Sequence, residues 1–149
     1  VHLEPAFTID IQVGVMTDIG ATPRGRRRYI GAASGNIRGE RVDGRLLQGG
    51  DWVLETPDGF AHADIRYVFE TADGAFLYIQ GSGLMEMNAA FGRALSGQAE
   101  TRAGDHYIRT DFVVETGDEQ YAWMNTTMFV AETTFSPGLS LHYAVASLA

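Results

Sequence analysis

The run Trp52-Val-Leu-Glu-Thr-Pro-Asp-Gly-Phe-Ala-His-Ala-Asp-Ile-Arg-Tyr-Val-Phe-Glu-Thr-Ala-Asp-Gly-Ala-Phe-Leu-Tyr-Ile-Gln80 decides the fold. Three apolar, strand-like segments (Trp52–Glu55, Ala61–Glu70 and Ala75–Gln80) are separated by Pro57-Asp-Gly59 and Asp73-Gly74. Such turns supply the backbone conformations that a tight hairpin requires. Upstream, Phe7, Ile9, Ile11, Val13 and Val15 alternate with Thr8, Asp10, Gln12 and Gly14, the period of a half-buried strand. Ala21–Arg28 reads as an arginine-rich turn, Tyr29–Ser34 as a strand, Gly35–Gly39 as a bend and Arg41–Gln48 as a strand. Gly49-Gly-Asp-Trp52 reads as a break that restarts the chain. Downstream, Tyr107–Glu115, Tyr121–Thr134 and Leu139–Leu148 read as strands, with turns at Gly117-Asp118 and Pro137-Gly138. One segment differs. Leu84, Met87, Phe91 and Leu95 recur at helical spacing, which predicts a short inserted helix near residues 84–96, with Gly97 as its stop.

Eight to ten strands joined by hairpins, with no regular alternation of strand and helix, exclude doubly wound and (β/α)8 layouts. The expectation is one all-β, mainly antiparallel domain over residues 1–149: a closed or nearly closed β-barrel, since closure removes the exposed sheet edges.

Composition narrows the chemistry. The 149 residues contain no Cys, and all 11 basic residues are Arg. This excludes thiol nucleophiles, disulfides, Cys-ligated metals, lysine Schiff bases and the lysine of a phosphate-binding loop. A net charge of −8 argues against nucleic acid as a partner. No apolar run reaches membrane-spanning length, and residues 1–4 lack the character of a signal peptide. A cytoplasmic, membrane-free setting is the expectation. His2, His62, His106 and His142 show no metal-ligand spacing and no Gly-x-Ser-x-Gly elbow occurs, so no metal and no cofactor is expected.

In a small barrel alternate residues face the lumen, so polar residues on apolar strands carry the information. Asp51 and Trp52 stand together at a strand start. Asp64 and Arg66 share one strand face, and Arg109 and Asp111 repeat that pairing in reverse order. Tyr121, Trp123 and Asn125 likewise share one strand face. The simpler alternatives are a solvent-facing ion pair for Asp64 and Arg66, core packing for Tyr121 and Trp123, and a turn role for Asp51.

Gly49-Gly-Asp-Trp52, Pro57-Asp-Gly59, Asp64-Ile-Arg-Tyr67, Thr71-Ala-Asp-Gly74, Tyr107-Ile-Arg-Thr110, Glu115-Thr-Gly117 and Tyr121-Ala-Trp-Met-Asn125, in this order, resemble the DUF3237 family, also called UPF0311. The resemblance runs from about Phe7 to Leu148. It implies a compact antiparallel barrel with one inserted helix, similar in architecture to the allene-oxide-cyclase, calycin-like barrels. Barrels of that type steer cyclisation or isomerisation of hydrophobic molecules without a cofactor, an analogy at the level of fold. Three departures from the family pattern, Met85, Phe112 and Ala144 with Ala146, imply a more apolar pocket here.

The expectation is therefore a cofactor-independent lyase, isomerase or cyclase acting by acid–base chemistry on a hydrophobic, aromatic or polyketide-like molecule. Asp51 or Asp64 would move the proton, and Arg66, Arg109 and Asn125 would hold a developing oxyanion. Trp52, Tyr78, Tyr121 and Trp123 would stack on the substrate, with Met85 and Met87 as an adaptable cap. The competing expectations are a non-catalytic barrel that holds a hydrophobic ligand, and an assembly module whose outer aromatics, Tyr143 among them, support a homo-oligomer.

Overall fold

The computed structural model describes residues 1–97 and 99–149. Eight antiparallel strands close into a barrel in sequence order. They are β1 (Leu3–Thr22), β2 (Gly25–Arg38), β3 (Asp43–Glu55), β4 (Phe60–Thr71), β5 (Phe76–Glu86), β6 (Ile108–Glu115), β7 (Phe129–Ser136) and β8 (Ser140–Leu148). The seam between first and last strand is fully paired, with Phe7 opposite Val145 and Ile11 opposite Leu141.

The alternation seen in the sequence sets the wall. On β4, Ala61, Ala63, Ile65, Tyr67 and Phe69 are buried in the lumen, while His62, Asp64 and Arg66 face water. Ile108, Thr110, Phe112 and Val114 of β6 and Leu141, Tyr143 and Val145 of β8 fill the lumen in the same way.

Four segments differ from the sequence expectation. The break expected at Gly49–Trp52 is absent, because β3 runs on from Asp43 to Glu55. The bend expected at Gly35–Gly39 does not interrupt the strand: β2 continues to Arg38, pairing with β1 through Ser34–Arg38 and rejoining β3 at Asn36. The helix is shorter than expected. β5 keeps pairing with β4 as far as Glu86, so Leu84 and Met85 remain in the sheet. The helix, α1, spans Ala89–Leu95; Asn88 Oδ1 caps it by accepting from the Phe91 amide at 2.9 Å, and Gly97 follows with a φ of 79°. Finally, Glu119–Thr126 forms a 3-10 helix rather than a strand, started by Asp118, whose carboxylate accepts from the Gln120 amide at 2.9 Å.

The two helices close opposite ends. α1 sends Phe91 against Phe135 at the end of β7, with ring centroids 5.8 Å apart. The 3-10 helix buries Tyr121 and Met124 at the other end, where Tyr121 donates to Asp73 in the β4–β5 turn at 2.8 Å. Among the described residues no helix is long and apolar enough to cross a membrane.

Candidate functional site

Asp51 is the carboxylate that the fold takes inside. Before the β3 bulge Leu46 points inward; after it Asp51 and Val53 do, so the inward phase has changed by one residue. The change comes from a register shift between Leu46 and Gln48, the two-against-one pairing of a bulge. Gly49 makes it sterically possible. Its φ is 144°, and a Cβ there would stand 2.1 Å from the Arg66 carbonyl. The same shift turns Trp52 outward, where it packs on Tyr29 at 5.0 Å.

Asp51 is only 6% exposed. Tyr67 donates to Asp51 Oδ1 at 3.1 Å, and the Tyr67 and Tyr143 hydroxyls lie 3.2 Å apart. With the Tyr67 proton committed to the carboxylate, Tyr143 donates to Tyr67, giving a relay of two phenols ending on one acid. Burial pushes the Asp51 carboxyl up to about 7; the Tyr67 hydrogen bond works against that rise, and the negative charge of Asp64 adds slightly to it. Burial and the nearby Asp51 hold the Tyr67 and Tyr143 phenols well above their usual range, so both remain hydrogen-bond donors.

Two spaces adjoin this acid. A cavity of about 280 Å³ lies between the barrel mouth and α1, walled by apolar residues including Met16, Ile30, Met85, Phe91, Leu95 and Phe135. Its polar lining is Asp51 together with Arg28 and Glu55, which pair at 3.0 Å. Deeper, a void of about 30 Å³ is lined by Asp51, Thr110, Thr133 and Tyr143 among others. Asp51, Met85, Phe135 and Leu141 line both spaces. A larger concavity, about 770 Å³, is a groove on the outer wall. Its charges are solvated: Arg109 pairs with Glu132 at 3.3 Å, and both side chains are 41% exposed. The smaller inner cavity is the better candidate, because there a buried ionisable group meets a mainly apolar wall.

Of the sequence-predicted residues, the structure brings Asp51 and Met85 together at the lumen, with Met87 half-buried against the core. The expectation that Asp64, Arg66 and Arg109 stand at the lumen or its rim is corrected, and for Asp64 and Arg66 the alternative of a solvent-facing ion pair holds. They sit out of phase with Ile65, Tyr67 and Ile108, so they point to solvent. Asp64 and Arg66 pair with each other at 3.3 Å, and Arg66 also donates to Tyr78 Oη at 3.4 Å on the same outer face. Arg109 additionally lies over the Tyr107 ring, 4.8 Å from its centroid. Tyr121, Trp123 and Asn125 belong to the 3-10 plug and do not share a strand face. Trp123 carries the Arg41 guanidinium at 3.8 Å, and Asn125 brackets the Thr116 backbone, accepting from its amide at 2.8 Å and donating to its carbonyl at 3.0 Å. Tyr143, expected as an outer aromatic, is 2% exposed inside the lumen.

The residues that sequence reasoning missed are Tyr67, Tyr143, Thr110 and Thr133 inside, and Arg28 at the mouth. Their signal was a hydroxyl on the apolar phase of a strand, easily read as ordinary core. Arg28 was hidden in the Arg-rich turn, three of whose arginines belong to β2 beyond its first residue.

The fold and this lumen define a class: a small closed β-barrel with an apolar interior and one buried acid. The chain belongs to the family described as "Protein of unknown function (DUF3237)", whose pattern matches residues 1–148. It is 31% identical over 125 residues to a UPF0311 protein of Rhodopseudomonas palustris, covering 83% of this chain and 82% of that one. A UPF0311 protein of Clostridium acetobutylicum is 31% identical over 131 residues, covering 87% and 83%. The crystal structure of a Rhodopseudomonas palustris protein of unknown function matches with a TM-score of 0.88 at 28% identity, covering 100% of this chain and 99% of that one. A β-barrel-like protein of Acinetobacter baumannii matches at 0.83 and 28% identity, covering 99% and 96%. A structure described as an enzyme from Penicillium herquei shares the fold, with a TM-score of 0.70 at 19% identity over 99% of this chain and 94% of that one.

Proposed function

We propose that the barrel lumen is the reaction site of a cofactor-independent enzyme, an isomerase, lyase or cyclase, acting on an apolar, aromatic or polyketide-like ketone or phenol. The observation that carries this reading is Asp51: a buried carboxyl near neutrality, facing a cavity whose lining is apolar apart from the Arg28–Glu55 ion pair. An acid whose affinity for protons matches the ambient pH is suited to both taking and returning one.

In the proposed step the Asp51 carboxylate removes a proton from a carbon next to a carbonyl. The C–H electron pair moves into an enolate, and Asp51 becomes the neutral acid. Returning that proton to a different carbon isomerises the substrate; attack by the enolate within the molecule closes a ring; expulsion of a leaving group makes the reaction a lyase. Tyr67 holds the carboxylate in place, with Tyr143 behind it. The apolar wall selects a flat, hydrophobic body and excludes water from the developing charge. The expected homo-oligomer and the cytoplasmic setting remain part of this proposal, and neither is needed for the step.

The test uses 2-tetralone, a bicyclic ketone with acidic C–H bonds, in D2O, with deuterium uptake followed by proton NMR. The wild-type protein is expected to accelerate exchange over buffer, and Asp51→Asn to lose about 10²–10⁴-fold of that acceleration. Binding of the ketone without any acceleration would leave the barrel as a ligand carrier and end the enzymatic reading.

A further inference from the structure

Thr133 lies on the inward phase of β7, between Ala131 and Phe135, directly opposite Tyr143 on β8. The residue is 4% exposed, and its hydroxyl has no hydrogen-bond partner among the described residues. The other buried threonines with known partners show the contrast. Thr71 bonds Asp73 and the Ala75 amide, and Thr101 bonds His106 and the Phe135 amide. An unpartnered hydroxyl in a protein interior costs stability that the equally shaped valine would not. Elsewhere this lumen does use valine, at Val53, Val114 and Val145. Thr133 lines the deep void of about 30 Å³ together with Asp51 and Tyr143. That is room for a group the size of a carbonyl or hydroxyl oxygen.

We propose that this void is an oxygen subsite, in which Thr133 donates a hydrogen bond to the carbonyl or phenolic oxygen of the substrate. The inference rests on the reaction-site reading above and deepens it. The ligand enters oxygen first, its apolar body fills the cavity beneath α1, and the oxygen in the void brings the adjacent carbon to Asp51. Thr133 thereby selects ketones and phenols over hydrocarbons of the same shape. Its donor would also meet the negative charge that grows on the oxygen when Asp51 takes the neighbouring proton.

The experiment compares 2-naphthol with 2-methylnaphthalene by titration calorimetry, using wild type, Thr133→Val and Thr133→Ser, and records the melting temperature of each unliganded protein. Wild type is expected to prefer 2-naphthol. Thr133→Val is expected to lower that preference by about three- to tenfold, the worth of one net hydrogen bond, without weakening 2-methylnaphthalene, while Thr133→Ser keeps it. Unliganded Thr133→Val is expected to melt higher than wild type. A valine variant that keeps the 2-naphthol preference, or that melts lower because the hydroxyl serves an ordered water, overturns the oxygen subsite alone. Wild-type protein that binds neither probe overturns the lumen reading and the subsite with it.

Discussion

Replacing Asp51 by Asn should stabilise the protein, and by an amount that depends on pH in a way that no other residue can imitate. The carboxyl titrates near its ordinary value of 3.8 in the unfolded chain and at about 7 in the folded one. Between those values the folded state holds a proton that the unfolded state has released, so stability falls as pH rises. Above about 7 the whole difference has been lost. A separation of 3.8 to about 7 corresponds to roughly 4 kcal/mol at 1.36 kcal/mol per unit. Asn keeps an acceptor for the Tyr67 hydroxyl and never ionises. The stability gap between the Asp51→Asn variant and wild type should therefore be small near pH 4, widen through pH 5–7 and level off above that, approaching roughly 4 kcal/mol. Urea unfolding at 25 °C measures it. With a slope of about 2 kcal/mol per molar, the midpoints should differ by about 2 M at pH 8.5 and converge at pH 4. Every other titrating group is common to both proteins and cancels in the difference. Parallel pH dependences, or a wild type that gains stability over the variant as pH rises, would refute the buried neutral-range carboxyl.

Three further outcomes follow from where side chains lie. Tyr67→Phe removes the donor that pulls the Asp51 carboxyl down, so its half-titration, followed by carboxyl carbon NMR, should move above about 7; an unchanged or lower midpoint speaks against the contact. Asp64→Asn and Arg66→Gln alter solvent-facing groups, and deuterium exchange at high pH, where Asp51 is ionised with or without the small push from Asp64, should proceed at the wild-type rate in both. Loss of exchange in either would return these residues to the site. Asn125→Ala breaks two hydrogen bonds to the Thr116 backbone and should cost about 1–2 kcal/mol in urea unfolding while leaving exchange intact.

The barrel was legible because its strands announce which side is wet. On β4 every second residue from Ala61 to Phe69 is apolar, and the turns at Pro57–Gly59 and Asp73-Gly74 fix where each strand ends. That same alternation already argued that Asp64 and Arg66 face out, since the apolar phase of the strand belongs to the core. Asp51 is the opposite case. Counting by twos from Leu46 puts Asp51 outside and Trp52 inside, and only the bulge before Gly49 reverses them. The two glycines marked an irregularity in the chain, without showing that it was a phase change inside a continuous strand. Tyr121–Asn125 failed for another reason. A short, mainly apolar run fits a strand as well as a turn of helix, and tertiary context decides: the run closes an open barrel end, and Asp118 and Glu119 at its start are the helix-start signal. The site acid was thus readable as a candidate, while its phenolic partners were not, because Tyr67 and Tyr143 look like core until their hydroxyls are seen to meet.

The central claim is that Asp51, inside the lumen, is the group that moves the proton. The pH dependence of 2-tetralone exchange tests it most directly, with the buffer rate subtracted at each pH. The wild-type rate should rise with pH, reach half its plateau near about 7 where Asp51 ionises, and vanish in Asp51→Asn across the whole range. A rate that is flat between pH 5.5 and 8.5, or a profile that survives the substitution, would contradict the account.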